Sequence, residues 1–260
     1  ILAGGQSLIP MIKLRFAFPE QIIDINNIPG LDYIRFDADG SLHIGALVRH
    51  EHLEKSVEIS MRQPTIAAAA PLVADPIVRA RGTFVGSVCH ADPQGDWAAT
   101  MIALHGSIVV QGPKGKRTIA MKDFVLGPYA NSLNYNEIAI EAVIPAPKGV
   151  ARGGYLKLER RVGDFATASV AVALDMNGDT VLGAGFALAG VGGKTIDAND
   201  AASVLIGQKL TDATIAKVAA LVAAKAEPRT DHRGSAEYKR HIVEIFVKRI
   251  LVANSTQKVA

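Results

Sequence analysis

The sequence predicts an α+β fold with two domains, and three features favour this class. Its 260 residues suit one large or two modest domains, since a domain typically takes roughly 150 residues. Pro145–Gly149 is a break rich in proline and glycine, which is typical of a domain boundary. Beyond it, predicted strands come first and helices follow, which indicates a sheet packed on a helical layer. We therefore expect domains at residues 1–147 and 150–260.

The chain is predicted to open with a strand, a glycine turn and a helix. Ile1–Ala3 forms the strand, Gly4–Ser7 the turn, and Ser7 the N-cap of a helix that begins near Leu8. Glycines let backbone amides converge on a phosphate, but Gly-Gly turns also occur for conformational reasons, so both interpretations stay open. Because the chain opens without Met on a strand-like segment, we expect further residues upstream.

The rest of the first domain is predicted to alternate strands, helices and one long loop. The expected strands are Ile22–Ile25, Tyr33–Phe36, Leu42–Ala46, Ser107–Gln111 and a strand that ends at Ile144; the expected helices are His52–Val57, Thr65–Val73 and Asp96–Leu104. Asp37–Gly40 joins two of the strands as a hairpin turn. Gly82–Trp97 has no clear period, which is typical of a loop that binds a ligand.

The second domain is predicted to contain a three-stranded antiparallel sheet and three helices. The expected elements are strands Tyr155–Arg160, Ser169–Asp175 and Thr180–Ala189, and helices Ala201–Ile206, Asp212–Lys225 and Ser235–Val252. Asn177-Gly178 is the strongest hairpin signal in the chain. It places the second and third strands side by side.

Composition and charge exclude several classes of function. Apolar residues make up 49% and charged residues 20% of the chain, which is typical of a folded globular protein. The 28 basic and 25 acidic residues give a net charge of +3, so we expect no nucleic-acid binding. Cys89 is the only cysteine, which excludes an intrachain disulfide and a four-thiolate iron–sulfur cluster. No apolar stretch reaches the ~20 residues of a membrane helix.

His90, Asp92 and Asp96 allow two chemical interpretations. His-x-Asp provides part of a metal site if His105, His232 or His241 supplies a further ligand. The same side chains lie among glycines and hydroxyls, where they would equally hydrogen-bond a cofactor's ribityl or ribose hydroxyls. Asp96 is also a candidate N-cap for the helix that follows it.

Other polar and aromatic residues have simpler interpretations. We expect His50 and His52 to be surface residues near a helix start, and Trp97 to lie in the core. Tyr155 and Lys157 share one face of a strand, because side chains alternate along a strand. Spacing alone favours an exposed antiparallel strand, although a lysine beside an aromatic ring would also suit an anionic cofactor.

Four ordered segments together resemble the FAD-binding medium subunits of the carbon monoxide dehydrogenase and xanthine dehydrogenase group of molybdenum hydroxylases. They are AGGQSLIPMIKLR at Ala3–Arg15, ADPIVRARGTFVGS at Ala74–Ser87, HADPQGDW at His90–Trp97 and YLKLERRVGDFATASVA at Tyr155–Ala171. The resemblance covers nearly the whole chain. It implies a flavin domain of the vanillyl-alcohol-oxidase type, which in this family starts with a strand and helix upstream of the first loop.

The resemblance also implies where FAD binds. The Ala3–Ser7 and Thr83–Ser87 loops would cradle the pyrophosphate, His90 and Asp96 would lie along the ribityl and ribose part, and Tyr155 and Lys157 would approach the isoalloxazine. The full set of implied cofactor contacts is Leu2, Ala3, Gly4, Gly5, Gln6, Ser7, Leu8, Val78, Thr83, Val85, Gly86, Ser87, His90, Asp92, Asp96, Ile138, Tyr155 and Lys157. No catalytic residue and no metal ligand is implied in this chain.

The second glycine loop departs from the family pattern. It reads Thr83-Phe84-Val85-Gly86 where the family commonly has Thr-Ile-Gly-Gly, and Ser87 replaces an acidic or amide residue. We therefore expect the Val85 side chain to stand where the backbone should approach the pyrophosphate closely.

In that family a large subunit holds a molybdopterin cofactor and a small subunit holds two iron–sulfur clusters. The resemblance implies that electrons pass from molybdenum through the clusters to FAD, and then to a quinone, NAD or another acceptor. We expect a cytoplasmic dimer of heterotrimers and leave open a peripheral position at the inner face of the membrane. The alternatives are a self-sufficient flavin oxidoreductase and a scaffold subunit that has lost FAD.

Overall fold

Two antiparallel sheets form the frame of the computed structural model, which describes residues 1–255. The strands are β1 Ile34–Phe36, β2 Leu42–Gly45, β3 Ser107–Gly112, β4 Gly115–Ala120, β5 Val125–Gly127, β6 Ala130–Asn131, β7 Ile138–Ile144, β8 Val150–Leu158, β9 Ala168–Asn177, β10 Thr180–Ala189 and β11 Ile196–Asp197. The α-helices are α1 Leu8–Lys13, α2 His50–Lys55, α3 Val57–Arg62, α4 Pro64–Ala69, α5 Pro76–Arg79, α6 Phe84–His90, α7 Asp96–Ala103, α8 Met121–Phe124, α9 Asp212–Ala224 and α10 Ala236–Ala253. Short 3₁₀ helices occupy Ala70–Leu72 and Asn199–Val204.

The first sheet has the strand order β1-β2-β7-β3-β4. Its hairpin of β1 and β2 turns at residues 37–40 as the sequence predicts, with Gly40 at a φ of +92°. Leu42 and Ile44 alternate along β2 and are fully buried, as expected for a strand with one face on the core. β5 and β6 form a separate small hairpin between β4 and β7.

The second sheet has the order β11-β10-β9-β8 and carries α9 and α10 on one face. The hairpin of β9 and β10 turns at Asn177-Gly178, with Gly178 at a φ of +55°, which confirms the turn signal. Ser235 caps α10 by accepting from the Tyr238 amide at 3.1 Å. The sheet and helical layer confirm the predicted α+β class, to which the structure adds β11.

Helix α7 lies between the two halves of the chain. All its side chains from Asp96 to Ala103 are buried, because it packs on α4 and α6 as well as on β9 and β10. A helix that is apolar around most of its surface is typical of a buried position. The core of the first half therefore continues into the second sheet, where Tyr155 and Ala171 belong to it.

Several predicted elements differ from the structure, in both halves of the chain. Ile1–Ala3 and Ile22–Ile25 do not extend into strands. They meet in a single parallel bridge in which the Leu2 amide donates to Ile23 O and Leu2 O accepts from Ile25 N. The predicted helix at His52–Val57 is two helices, α2 and α3, because Ser56 is extended and caps α3. The predicted helix at Ala201–Ile206 is a 3₁₀ helix.

The stretch at residues 82–97 is not an irregular loop throughout, because it contains α6. Phe84, Val85 and Val88 of α6 are buried at helical spacing, and the helix ends at Ala91, whose φ is +52°. The glycine at position 86 and the β-branched neighbours hide this short period from sequence analysis. No helix within residues 1–255 has the length and apolar character needed to span a membrane.

Candidate functional site

A cleft of about 550 Å³ lies where the first glycine turn, the start of α6 and the second sheet meet. Its volume is typical of ligand sites in proteins. The predicted contact residues that line it are Leu2, Ala3, Gly4, Gly5, Gln6, Ser7, Leu8, Val78, Thr83, Val85, Gly86, Ser87, His90, Asp92, Asp96, Ile138 and Lys157. Tyr155 does not line the cleft, because its side chain is buried in the core beside α7.

The first glycine loop leaves a run of backbone amides without acceptors. No residue of the described chain accepts from the amides of Gly4, Gly5, Gln6 or Ser7. Gly5 adopts a φ of +73°, a conformation that strains other residues. Ser7 stands at the N-cap of α1 as predicted, but its side chain makes no capping hydrogen bond, so its hydroxyl is free to face the cleft.

The second glycine loop also has backbone amides without hydrogen-bond acceptors. Within residues 1–255, the amides of Thr83, Val85 and Gly86 likewise have no hydrogen-bond acceptor, because they stand at the start of α6. The Gly82 carbonyl accepts from the His50 amide at 3.0 Å, and the Phe84 amide donates to Val48 O. These bonds fix the loop while leaving its other amides available.

The Val85 side chain does not obstruct the second glycine loop, contrary to the expectation from the sequence. Its side chain is 2% exposed and packs in the core, while its unpaired amide belongs to the loop. Phe84 is fully buried and packs on Trp97, with ring centroids 4.7 Å apart. Trp97 is therefore a core residue, as predicted, and Phe84 does not fill the cleft.

The two glycine loops touch each other directly. A Cβ atom on Gly4 would lie 2.7 Å from the Gly82 Cα and would also overlap the Arg81 carbonyl. Only glycine allows this approach, since a Cβ contact under 3 Å requires one of the backbones to move. The two loops, each with unpaired amides, are therefore in direct backbone contact beside the cleft.

His50 is buried, whereas we expected a surface residue. It is 4% exposed, it lines the cleft, and its Nδ1 accepts from Trp97 Nε1 at 2.9 Å. Burial, with Arg79 and Arg49 nearby, lowers the pKa of His50 from 6.5 to about 4. The imidazole is consequently neutral at physiological pH. His52, by contrast, has a side chain that is 46% exposed.

His90 and Asp92 lie on the wall formed by the end of α6. The His90 ring packs against Tyr129 with centroids 5.1 Å apart, and burial lowers the pKa of His90. Asp92 accepts from the Gln94 amide at 2.9 Å. Among residues 1–255 no group of three or more His, Cys, Asp or Glu side chains could hold a metal ion, so the metal interpretation of this wall has no structural support.

Asp96 faces the second domain and does not cap α7. Gly95 is the N-cap, and the Asp96 carboxylate accepts from the Tyr155 hydroxyl at 2.6 Å. Lys157 Nζ lies 3.3 Å from Asp96 and 3.4 Å from Glu159, and it donates to Leu72 O at 2.6 Å. The exposed-strand interpretation of this face is wrong, because the Lys157 side chain is 1% exposed.

The environment of this buried cluster shifts the pKa values of Asp96 and Tyr155. Burial raises the pKa of Asp96, although Lys157 and Tyr155 beside it act in the opposite direction. Burial and the neighbouring Asp96 carboxylate raise the pKa of Tyr155 well above its ordinary value. The cluster joins α7 to β8 and places a lysine ammonium at the cleft wall.

Further cleft residues escaped the sequence analysis. They include Ile25, Ala46, His50, Val73, Cys89, Leu133, Glu137, Gly163, Asp164 and Phe165. Gly163 and Phe165 lie inside a segment that carries the family resemblance, so that segment was a usable signal. His50 and Cys89 gave no signal, since a single histidine or cysteine without a motif is more often structural.

Family models match both halves of the chain. The model described as the FAD binding domain in molybdopterin dehydrogenase matches residues 1–147. The model described as the CO dehydrogenase flavoprotein C-terminal domain matches residues 154–253.

Individual proteins of the same kind are also similar to this chain in sequence and structure. The chain is 40% identical to the carbon monoxide dehydrogenase medium chain of Hydrogenophaga pseudoflava, over 97% of this chain and 88% of that one. It is 35% identical to the glyceraldehyde dehydrogenase medium chain of Sulfolobus acidocaldarius, over 94% and 86%. A solved structure of the carbon monoxide dehydrogenase from Hydrogenophaga pseudoflava superposes with a TM-score of 0.91 at 41% identity, over 97% and 88%. The chain thus belongs to the family of FAD-binding medium subunits of molybdenum hydroxylases.

Proposed function

We propose that this chain holds FAD in the cleft between the two glycine loops and the second sheet, and that it passes electrons from a partner subunit to an external acceptor. One observation carries the site assignment: two sets of unpaired backbone amides, at residues 4–7 and at Thr83, Val85 and Gly86, belong to residues that line one cleft. Such amides bind the oxygens of a phosphate, which accept hydrogen bonds and donate none.

The residues of the cleft suit each part of the cofactor. The glycine loops would hold the pyrophosphate, and His90 and Asp92 would hydrogen-bond the sugar-like hydroxyls. Lys157 would lie toward the flavin, held in place by Asp96. Tyr155 supports this lysine through Asp96 rather than by contact with the ring. Bound FAD supplies a flavin ring that takes up and releases electrons.

The proposed division of the chain is residues 1–147 for FAD and residues 150–260 for the flavoprotein C-terminal domain. The lone cysteine leaves no set of thiolates for an iron–sulfur cluster in this chain. We propose that a small subunit with two such clusters delivers electrons to FAD, and that a large molybdopterin subunit oxidises the substrate. The assembly would be a cytoplasmic dimer of heterotrimers, with a quinone or NAD as acceptor.

Titration of the flavin-free chain with FAD tests the site. We expect one FAD per chain and a yellow complex with visible flavin absorbance. A folded chain that binds no FAD would show that the cleft has another role. It would favour the alternative of a scaffold subunit that has lost FAD, although the Val85 side chain, which was expected to obstruct the pyrophosphate, is buried.

A second measurement tests the electron path. The purified chain with FAD should not turn over organic substrates by itself, whereas the co-purified complex should reduce FAD when substrate is added. Turnover by the chain without large and small subunits would instead identify a self-sufficient flavin oxidoreductase.

A further inference from the structure

The His50 imidazole has one nitrogen engaged in the core and the other at the cleft. Trp97 Nε1 donates to His50 Nδ1 at 2.9 Å. An indole nitrogen is a donor only, so Nδ1 must carry a lone pair and not a proton. In a neutral imidazole the proton then resides on Nε2. The buried tryptophan therefore fixes the tautomer of the ring.

The environment keeps this ring uncharged. Burial is the main cause of the low pKa of His50, and the guanidinium groups of Arg79 and Arg49 add to it. A neutral ring with Nδ1 occupied can act toward the cleft in one way only, as a donor from Nε2.

Nε2 lies against the second glycine loop. A Cβ atom on Gly82 would come within 2.7 Å of it, so the glycine makes room for the ring. The adjacent Thr83 amide has no acceptor among residues 1–255, and no described residue accepts from His50 Nε2 either. Two donors thus stand side by side in the cleft without a protein acceptor.

We propose that His50 is a cofactor-binding residue that donates from Nε2 to a pyrophosphate oxygen of FAD, beside the amides of the second loop. This inference rests on the proposed FAD site. His50 Nε2 opens onto the cleft, where a phosphate oxygen would accept from it in a charge-assisted hydrogen bond. Trp97 acts as the positioning residue, because it decides which ring nitrogen carries the proton.

Ligand titrations of the full chain test the assignment. His50→Leu should weaken FAD binding roughly ten- to hundredfold, the range for a lost hydrogen bond to a charged group. ADP, which has the pyrophosphate but no flavin, should lose affinity by the same factor. His50→Gln should keep FAD affinity close to that of the unmodified chain, since its amide nitrogen can donate from a similar position. His52→Gln, on the same helix but exposed, is the matched control and should change nothing.

Nuclear magnetic resonance of chain with ¹⁵N-labelled histidine gives an independent readout. We expect the Nε2-protonated tautomer of His50 without ligand, and a shift of its Nε2 proton when ADP binds. Trp97→Phe should release the tautomer and weaken ADP binding, and a melting temperature for each variant establishes that it is folded.

Three results would overturn the proposal: full ADP affinity in a folded His50→Leu chain, a proton on Nδ1, or a loss confined to FAD, which would place His50 at the flavin. Failure of the unmodified chain to bind FAD would instead refute the proposed function, and this inference with it. If His50→Leu does not fold, the tautomer measurement and Trp97→Phe decide the question.

Discussion

Arg49 Nη2 donates to Asn26 Oδ1 at 2.6 Å, and this bond connects the two glycine loops. Asn26 also donates from Nδ2 to Ala3 O at 2.9 Å, while Arg49 donates from Nη1 to Arg81 O. The two side chains therefore form a bridge from the first loop to the second. Because each loop supplies only part of the amide surface, their separation must be fixed for both to reach one diphosphate.

Asn26→Ala removes this bridge and should lower FAD affinity by about tenfold, because binding must then hold the loops at the right spacing without a hydrogen bond to the charged Arg49. Titration with FAD measures the effect. Asn27→Ala is the control, since Asn27 is exposed beside Asn26 and should bind FAD normally. Equal affinities for the two variants would show that the loops hold their spacing without Arg49 and Asn26.

Gly4→Val should lower FAD occupancy sharply, and Gly4→Ala should lower it as severely. A first Cβ already overlaps the backbone at Arg81 and Gly82, so the loops must move apart whatever the rest of the side chain. Flavin content per purified chain measures the result. Gly193→Ala provides the control, because a Cβ there meets nothing within 4 Å. A much milder effect of Gly4→Ala than of Gly4→Val would mean that a larger side chain at position 4 blocks the phosphate sterically. The contact between the two loops would then not be the reason that position 4 requires glycine.

The sequence predicted most elements whose signals are local. The β9–β10 hairpin at Asn177-Gly178 follows from turn chemistry, and helix α10 follows from the helical spacing of its apolar residues; both signals act over short stretches of chain. The two glycine loops were also correctly expected to lie together, but this came from family resemblance. No local signal relates Gly4 to Gly82.

The errors have a common physical cause in tertiary contacts. His50 looks like a surface residue until Trp97 and Gly82 enclose it. Asp96 stands in a suitable position for a cap, yet burial next to Tyr155 and Lys157 gives its carboxylate stronger partners. In both cases the decisive neighbour lies more than 30 residues away, beyond the reach of spacing arguments.

Asp96→Ala should destabilise the protein by about 3–5 kcal/mol, because it leaves the Lys157 ammonium buried without its partner. The Tyr155 hydroxyl also loses its acceptor. Urea unfolding of the flavin-free chain measures the loss. The double variant Asp96→Ala with Lys157→Met should recover part of it, since no uncompensated charge remains. A double variant less stable than Asp96→Ala alone would argue that Glu159 and Leu72 O suffice to hold the lysine.

The buried neutral His50 should make stability depend on pH. Its pKa is about 4 in the folded chain and 6.5 when unfolded, so between these values the unfolded state binds more protons. The neutral His50 therefore stabilises the folded chain by about 3 kcal/mol above pH 6.5. This stabilisation declines as the pH falls and is absent below pH 4. The difference in free energy of unfolding between the unmodified chain and His50→Gln isolates this effect from other titrating groups. This difference in free energy of unfolding should shift against the unmodified chain as the pH is lowered from 7 to 4. A difference that stays constant would mean that His50 takes up a proton as readily in the folded state as in the unfolded state.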